Sequence, residues 1–381
     1  MDMKDYRSRI DEIDRELVRL FRERMDTAKE IAAYKKANAL PILDAGRERE
    51  KLANVCSMVP AELRNYTSVL YSSLFELSRS YQAHQTENYT ELSRKITDAI
   101  EQTDRLFPPE ASVAVCGVEG AYAQIASEKL FRMPFVLYFN SFEGVFSAIE
   151  NGLCRYGIVP IENSNAGSVK KVYDLMTKHR FSIVRSTRLK IDHNLLAKPG
   201  TTLENVREIL SHEQAISQCA EFLKSLGKDI KITAVENTAM AAQTVAASDR
   251  TDLAAICSRN CCELYGLTCL QSSVQDQGNN YTRFICISKD LEIYPGADRT
   301  SIMLSTAHKP GALYKLLSRF YALGINITKL ESRPIPDRDF EFMFYFDLET
   351  SIYSEEFIQI ICELSAGTDS FTYLGSYSEV V

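Results

Sequence analysis

The chain lacks any apolar run approaching the roughly 18 residues that cross a bilayer, so no membrane partner is expected. Its opening, "MDMKDYRSRIDEIDREL", is charged and lacks the apolar core of a secretory leader, which points to the cytoplasm. It lacks an excess of positive charge. Its 44 Lys and Arg against 51 Asp and Glu give −7, which disfavours nucleic acid as a partner. It also lacks a CxxC pair, and no histidine stands near Cys257, Cys261 and Cys262, so no metal site is expected and no cofactor is implied. The ten cysteines (Cys56, Cys116, Cys154, Cys219, Cys257, Cys261, Cys262, Cys269, Cys286 and Cys362) are scattered through a chain too long for a disulfide scaffold. They read as reduced core thiols. Finally, no glycine or proline occurs before Pro41, which leaves one unbroken helical period over residues 4–38.

The remaining composition is that of a soluble globular protein: 381 residues, 45% hydrophobic and 25% charged, enough for two or three domains. Further helical stretches span 44–58, with Asp44 as N-cap, and 61–83, after Pro60. A polar segment ends in "FPPE". From 111 to about 290, short Val/Ile-rich runs alternate with helical patterns, the punctuation of an α/β domain. After "PGADRT" the order reads strand, helix, strand, strand, helix, strand, a ferredoxin-like βαββαβ pattern. The expected division is 1–85, a linker at 86–110, 111–290 and 298–381.

On a helical wheel of about 100° per residue, Ile10, Ile13, Leu17, Leu20, Phe21, Ala28 and Ile31 form one apolar stripe. Arg24 and Lys35 fall inside it and Arg7 on its edge, whereas Arg15, Arg19, Arg22 and Glu30 lie on the polar face. A cation in an apolar stripe is costly unless it snorkels or is paired. Two on one line point to a pocket for an anion. Thirty-five helical residues also span roughly 50 Å, more than two shorter helices of the same chain can cover. The expectation is an intertwined dimer.

Residues 4–84 resemble the all-helical, three-helix dimeric chorismate mutases, most recognisably in "ILDAGRERE". Arg7, Arg24, Lys35, Asp44, Arg47, Glu48, Ser78 and Gln82 fall on that family's site positions. The resemblance implies that Arg7 reaches in from the other subunit and that Arg24 and Arg47 hold the two carboxylates of chorismate. Glu48 would take a substrate hydroxyl. Lys35 and Gln82 would bond the ether oxygen, where charge develops as the C–O bond breaks. A pericyclic rearrangement needs no nucleophile or general base, so restraint and electrostatics suffice.

In the middle domain, polar loops repeatedly follow strand-like runs. "IVPIENSNAGSV" places Glu162, Asn163 and Ser164 at a strand end. "EILSHEQAISQC" supplies Ser211, His212, Gln214 and Gln218, and "AVENTAMAAQ" supplies Asn237 and Thr238. Each loop reads either as ordinary N-capping or as an anion site at a helix start. "DQGNNYTRFICIS" sets Thr282 and Arg283 where a polar loop enters an apolar strand. With "GVEGAYA", these motifs resemble prephenate dehydratase over about 112–288. That resemblance implies that Thr282 is the acid, or a relay, for departure of the ring hydroxyl of prephenate, with Glu162 a second acid candidate. Asn163, Ser164, Ser211, Gln218 and Arg283 would hold the substrate or position Thr282. A threonine needs neighbours that polarise it for such work. Two positions depart from the family pattern: Ala123 stands where a serine is usual, and Glu213 where a proline is. His212 reads as structural or orienting rather than as a base.

"KPGALYKLL" and "LESRPIP" resemble the ACT domain of prephenate dehydratases, over about 299–378. Gly311, Ala312, Leu313, Glu331, Ser332, Arg333 and Pro334 would bind L-phenylalanine. The whole chain thus resembles the bifunctional chorismate mutase/prephenate dehydratases of phenylalanine biosynthesis, as a homodimer or homotetramer with feedback by the end product. The rival is an amino-acid-sensing binding protein whose α/β part turns nothing over.

Overall fold

A computed structural model describes residues 2–38, 40–86, 91–227, 230–335, 341–354, 357–358, 360–361, 364–365, 368 and 370–381. Cys362 and parts of the expected linker and last helix lie outside the described residues. The chain forms two compact units, Met1–Asp98 with Ile302–Thr372, and Ala99–Ser301 with Tyr373–Val381.

The first unit begins with α1 (Met3–Ala37). The Asp2 carboxylate accepts the Lys4 and Asp5 amides while Asp5 accepts the Asp2 amide, a reciprocal cap that satisfies otherwise orphaned donors. Helix α2 (Ala45–Ser57) is capped by Asp44, which accepts the Arg47 amide at 2.9 Å. Helix α3 (Arg64–Thr86) packs against both α1 and α2, and α4 (Glu91–Gln102) follows. On α1 only Ala28 and Ala32 are buried. Ile10, Ile13, Leu17, Leu20 and Phe21 are all at least 40% exposed, so the N-terminal part of the apolar stripe is left uncovered by the described residues.

In the second unit, β1 (Glu110–Cys116), α5 (Tyr122–Leu130), β2 (Met133–Phe139), α6 (Phe142–Glu150), β3 (Tyr156–Asn163), β4 (Gly167–Ser168), α7 (Lys170–Met176) and β5 (Ser182–Lys190) build the first lobe. The second lobe holds β6 (Asn194–Ala197), β7 (Glu208–Ser211), α8 (Glu213–Gln218), α9 (Ala220–Ser225), β8 (Lys231–Ala234), α10 (Thr238–Ala247), β9 (Leu253–Cys257), α11 (Cys261–Tyr265) and β10 (Thr268–Gln271). Its sheet runs β10-β6-β9-β7-β8. The chain then returns to the first lobe as β11 (Tyr281–Ser288), inserted antiparallel between β3 and β5. β11 is buried from Thr282 to Ser288 because both its edges and faces are covered.

The C-terminal part comprises β12 (Arg299–Ser305), α12 (Ala312–Ala322), β13 (Asn326–Pro334), β14 (Phe342–Glu349) and β15 (Ser370–Val380), in strand order β13-β14-β12-β15. The end of β15 belongs to the second unit and pairs with β5, Ser378 to Arg185 and Val380 to Thr187. Gly375 (φ +138°) makes this approach possible. A Cβ there would stand 2.3 Å from the Ile183 carbonyl oxygen. The nine described cysteines are free thiols, five of them buried. Among the described residues no His/Cys/Asp/Glu cluster suits a metal, and no helix is long and apolar enough to cross a membrane.

Candidate functional site

Two groups of polar side chains stand out. The first lies where α3 meets α1 and α2. Half-buried Arg24 donates to the Leu74 carbonyl (3.1 Å) and to the buried Ser78 hydroxyl, and lies over the Phe75 ring. Burial lowers its pKa, against the pull of Tyr71 and Glu48. The cation inside the apolar stripe is thus met by α3 rather than snorkelling to water. Lys35 Nζ donates to the Ile42 carbonyl at 2.5 Å. Glu48, in the first turn of α2, pairs with Arg79. Gln82 is buried, and its Oε1 has no hydrogen-bond partner among the described residues. Such an acceptor is costly to leave unmet. Arg47 is exposed and pairs with Glu50 at 3.1 Å, and Asp44 is occupied as the cap. Arg7 lies exposed on the same helix as Arg24, 17 residues and roughly 25 Å away along the axis, and cannot reach this cluster from its own chain.

The second group gathers at the ends of β3 and β11, and its hydrogen bonds have forced directions. Asn163 Oδ1 accepts the backbone amides of Asn165 (3.1 Å) and Ala166 (2.9 Å). Those amides can only donate, so Asn163 Nδ2 must be the donor. It donates to Thr282 Oγ1 at 2.9 Å and to Asn280 Oδ1 at 2.8 Å. Asn280 Nδ2 then donates to Gln218 Oε1 at 3.0 Å, which also accepts from His193 Nε2 at 2.9 Å. His193 is 2% exposed, and burial holds its pKa below the ordinary range despite Gln218 and Asp192. The imidazole is therefore neutral and carries its proton on Nε2. The Thr282 oxygen already accepts from Asn163, so its own proton is free to be offered elsewhere.

Strand alternation separates the remaining residues. Thr282 pairs with Asn163 and Arg283 with Glu162, and successive side chains on a strand point to opposite faces. Glu162 and Arg283, 3.6 Å apart, thus leave the face that carries Asn163 and Thr282. The structure does not bring the Glu162 carboxylate to the Thr282 hydroxyl. Ser164 ties β3 to β11: its amide donates to the Tyr281 carbonyl, and its hydroxyl donates to the Asn279 carbonyl and accepts the Tyr281 amide. Ser211 is fully buried and donates to the Ile256 carbonyl at 2.6 Å. Among the described residues, Gln218 joins the Thr282 network through Asn280. His212 caps α8 by accepting the Gln214 amide.

At the C-terminal part, Gly311 has φ +80° and opens α12 with Ala312 and Leu313. On β13, exposure alternates strictly. Glu331 and Arg333 share one face, Ser332 and Pro334 the other.

Residues 6–83 match the family described as chorismate mutase type II, and residues 113–292 match prephenate dehydratase. Bifunctional chorismate mutase/prephenate dehydratases of Enterobacter agglomerans and Aquifex aeolicus (strain VF5) are 32% and 30% identical to this chain. They cover 97% and 100% of it, and are themselves covered over 94% and 99%. The chain belongs to this bifunctional family. An arogenate dehydratase/prephenate dehydratase of Arabidopsis thaliana is 35% identical over 75% of this chain and 76% of its own. A prephenate dehydratase from Arthrobacter aurescens, solved with L-Phe, shares the fold with a TM-score of 0.64 at 24% identity, over 70% of this chain and 89% of that one.

The mutase and dehydratase parts both contain polar residues that the motifs alone did not single out. Asn280 sits within "QGNNY", and only the antiparallel pairing of β11 with β3 gives it a partner in Asn163. His193 stands between β5 and β6, about 90 residues before Thr282 in the chain. Arg79 follows Ser78 directly, yet its pairing with Glu48 depends on how α2 folds back on α3. A helical wheel for α3 registers the residue and not the partner.

Proposed function

We propose that the chain carries out two consecutive steps of phenylalanine biosynthesis at two separate sites, under control of the end product. In the mutase, Arg24 and Arg47 hold the carboxylates of chorismate. Lys35 and Gln82 bond the ether oxygen, Glu48 accepts a substrate hydroxyl, and Ser78 and Asp44 fix Arg24 and the start of α2. The uncovered stripe on α1 supports a homodimer in which Arg7 enters the partner's site.

In the dehydratase, the ring carboxylate of prephenate leaves as carbon dioxide. The electron pair of that C–C bond moves into the ring, and the ring hydroxyl departs as water. The observation that carries this reading is the donor chain ending on Thr282. With its oxygen accepting from Asn163, the hydroxyl is set to donate to the departing group. Gln218 and His193 hold the far end of the chain, and Arg283, paired with Glu162, braces the strand end from the other face. Gly311, Ala312 and Leu313 and one face of the Glu331–Pro334 stretch form the ACT-type site for L-phenylalanine. The strand order of the C-terminal part supports that assignment.

The test is a two-step assay on the full chain. Chorismate should give prephenate and then phenylpyruvate, and L-phenylalanine should slow the second step. Prephenate that accumulates without phenylpyruvate would sink the dehydratase half. Arogenate run beside prephenate decides which substrate is preferred.

A further inference from the structure

Arg79 lies on α3 with its guanidinium bracketed by two carboxylates. One arm meets Glu48 of α2 and the other meets Glu76, one turn earlier on α3. The side chains of Arg79, Glu48 and Glu76 are 18%, 29% and 9% exposed, so water screens these pairs poorly. The second oxygen of Glu76 accepts from Arg319 of α12, from Nη2 at 3.0 Å and Nε at 3.3 Å. Lys315 Nζ stands 3.9 Å from its other oxygen. Charges therefore alternate along Glu48, Arg79, Glu76 and Arg319. Burial alone would raise the Glu76 pKa, but Arg79 and then Arg319 outweigh it and hold the carboxyl below its ordinary range.

A single exposed ion pair contributes little. This line differs, because each inner member is mostly buried and shared by two partners of opposite sign. A carboxylate at the end of a flexible side chain has several rotamers, and only some of them present an oxygen to a bound hydroxyl. A two-armed guanidinium selects among them, with geometric precision that an ammonium does not give. We propose that Arg79 is a positioning residue of the mutase site, fixing the Glu48 carboxylate, and that Arg319 of the C-terminal part steadies Arg79 through Glu76. The proposal rests on the mutase reading above, in which Glu48 receives a substrate hydroxyl.

That hydroxyl takes no part in the bonds that break and form. Its hydrogen bond is made equally in the ground and transition states, so loosening Glu48 removes uniform binding and acts on KM. In the full-length chain, Arg79→Met should raise the KM for chorismate about tenfold, with kcat held within about twofold. Prephenate dehydration should be unchanged. Arg79→Lys should recover part of the loss. Arg319→Gln should raise the same KM by about threefold, and add nothing further in the Arg79→Met background, because its influence runs through Arg79.

A wild-type KM in Arg79→Met overturns the proposal. So does a loss of activity that follows the loss of folded protein and is not relieved by lysine, since that marks a merely structural pair. An unchanged KM in Arg319→Gln removes the second half. If Arg79→Met does not fold, Arg79→Lys and Arg319→Gln carry the same criterion. A wild-type chain that leaves chorismate unchanged contradicts the mutase reading itself, and this proposal with it.

Discussion

Asn163→Asp separates the two jobs of one side chain. Asn163 is buried, accepts two turn amides through Oδ1 and donates through Nδ2 to Thr282 and Asn280. An aspartate keeps the acceptor for the turn but replaces the donor with an anionic oxygen 2.9 Å from the Thr282 hydroxyl. The hydroxyl must then turn its proton toward the new carboxylate and is lost as a donor to substrate. A hydrogen bond to a charged group contributes about 1.5–3 kcal/mol, so the dehydratase kcat should fall about 10- to 100-fold. The Asn165 and Ala166 amides remain bonded, but the new oxygen faces the Asn280 Oδ1 acceptor that Nδ2 met at 2.8 Å, so stability should fall by about 1–3 kcal/mol as well. Asn163→Ala removes all five side-chain hydrogen bonds, including one to the Tyr281 carbonyl, and should lower stability by about 2–4 kcal/mol in addition. The assay is steady-state conversion of prephenate, with thermal melting beside it and chorismate rearrangement as the internal control. Wild-type turnover in Asn163→Asp would refute the forced direction of the hydrogen-bond chain.

Other outcomes can be checked alongside. His193 has a folded pKa held below its unfolded value of about 6.5 by burial, so the unfolded chain binds its proton first. Its contribution to stability is complete above about pH 6.5 and is lost as pH falls from there toward the folded pKa. Unfolding midpoints from pH 8 to 5 should slope less in His193→Asn, and an identical slope would contradict the neutral imidazole. Gly375→Ala places a Cβ against the Ile183 carbonyl and should lower the stability of the second unit by about 1–3 kcal/mol, whereas an unshifted melting midpoint would show that the strand tolerates a side chain there. Leu17→Glu, in the exposed stripe of α1, should convert the proposed dimer to monomers and abolish the mutase; a wild-type chain that is itself monomeric by light scattering contradicts that proposal.

Much of the helical part was legible because its signals are local. The period over 4–38 needed only the absence of glycine and proline, and Asp44 announced itself as a cap. Arg24 and Lys35 stood out because a cation in an apolar stripe breaks the pattern. The α/β alternation and the polar loops at strand ends were equally plain. What stayed hidden depends on pairing between distant segments. Glu162 and Asn163 are adjacent in sequence, and nothing local says which of them faces Thr282. The register of β11 on β3 decides it. Ser211 sat in a persuasive loop, yet its hydroxyl is used by the Ile256 carbonyl of a neighbouring strand. Asn280, His193 and Arg79 acquire meaning only from partners that the topology delivers. The four residues of the Glu331–Pro334 stretch looked like one recognition motif, but a strand divides them between two faces.

The most direct measurement is Thr282→Ala with both activities followed in one preparation. The donor chain ends on the Thr282 hydroxyl, so removing it should nearly abolish the conversion of prephenate to phenylpyruvate while chorismate is still rearranged at the wild-type rate. A variant that makes phenylpyruvate at the wild-type rate would contradict the assignment of Thr282.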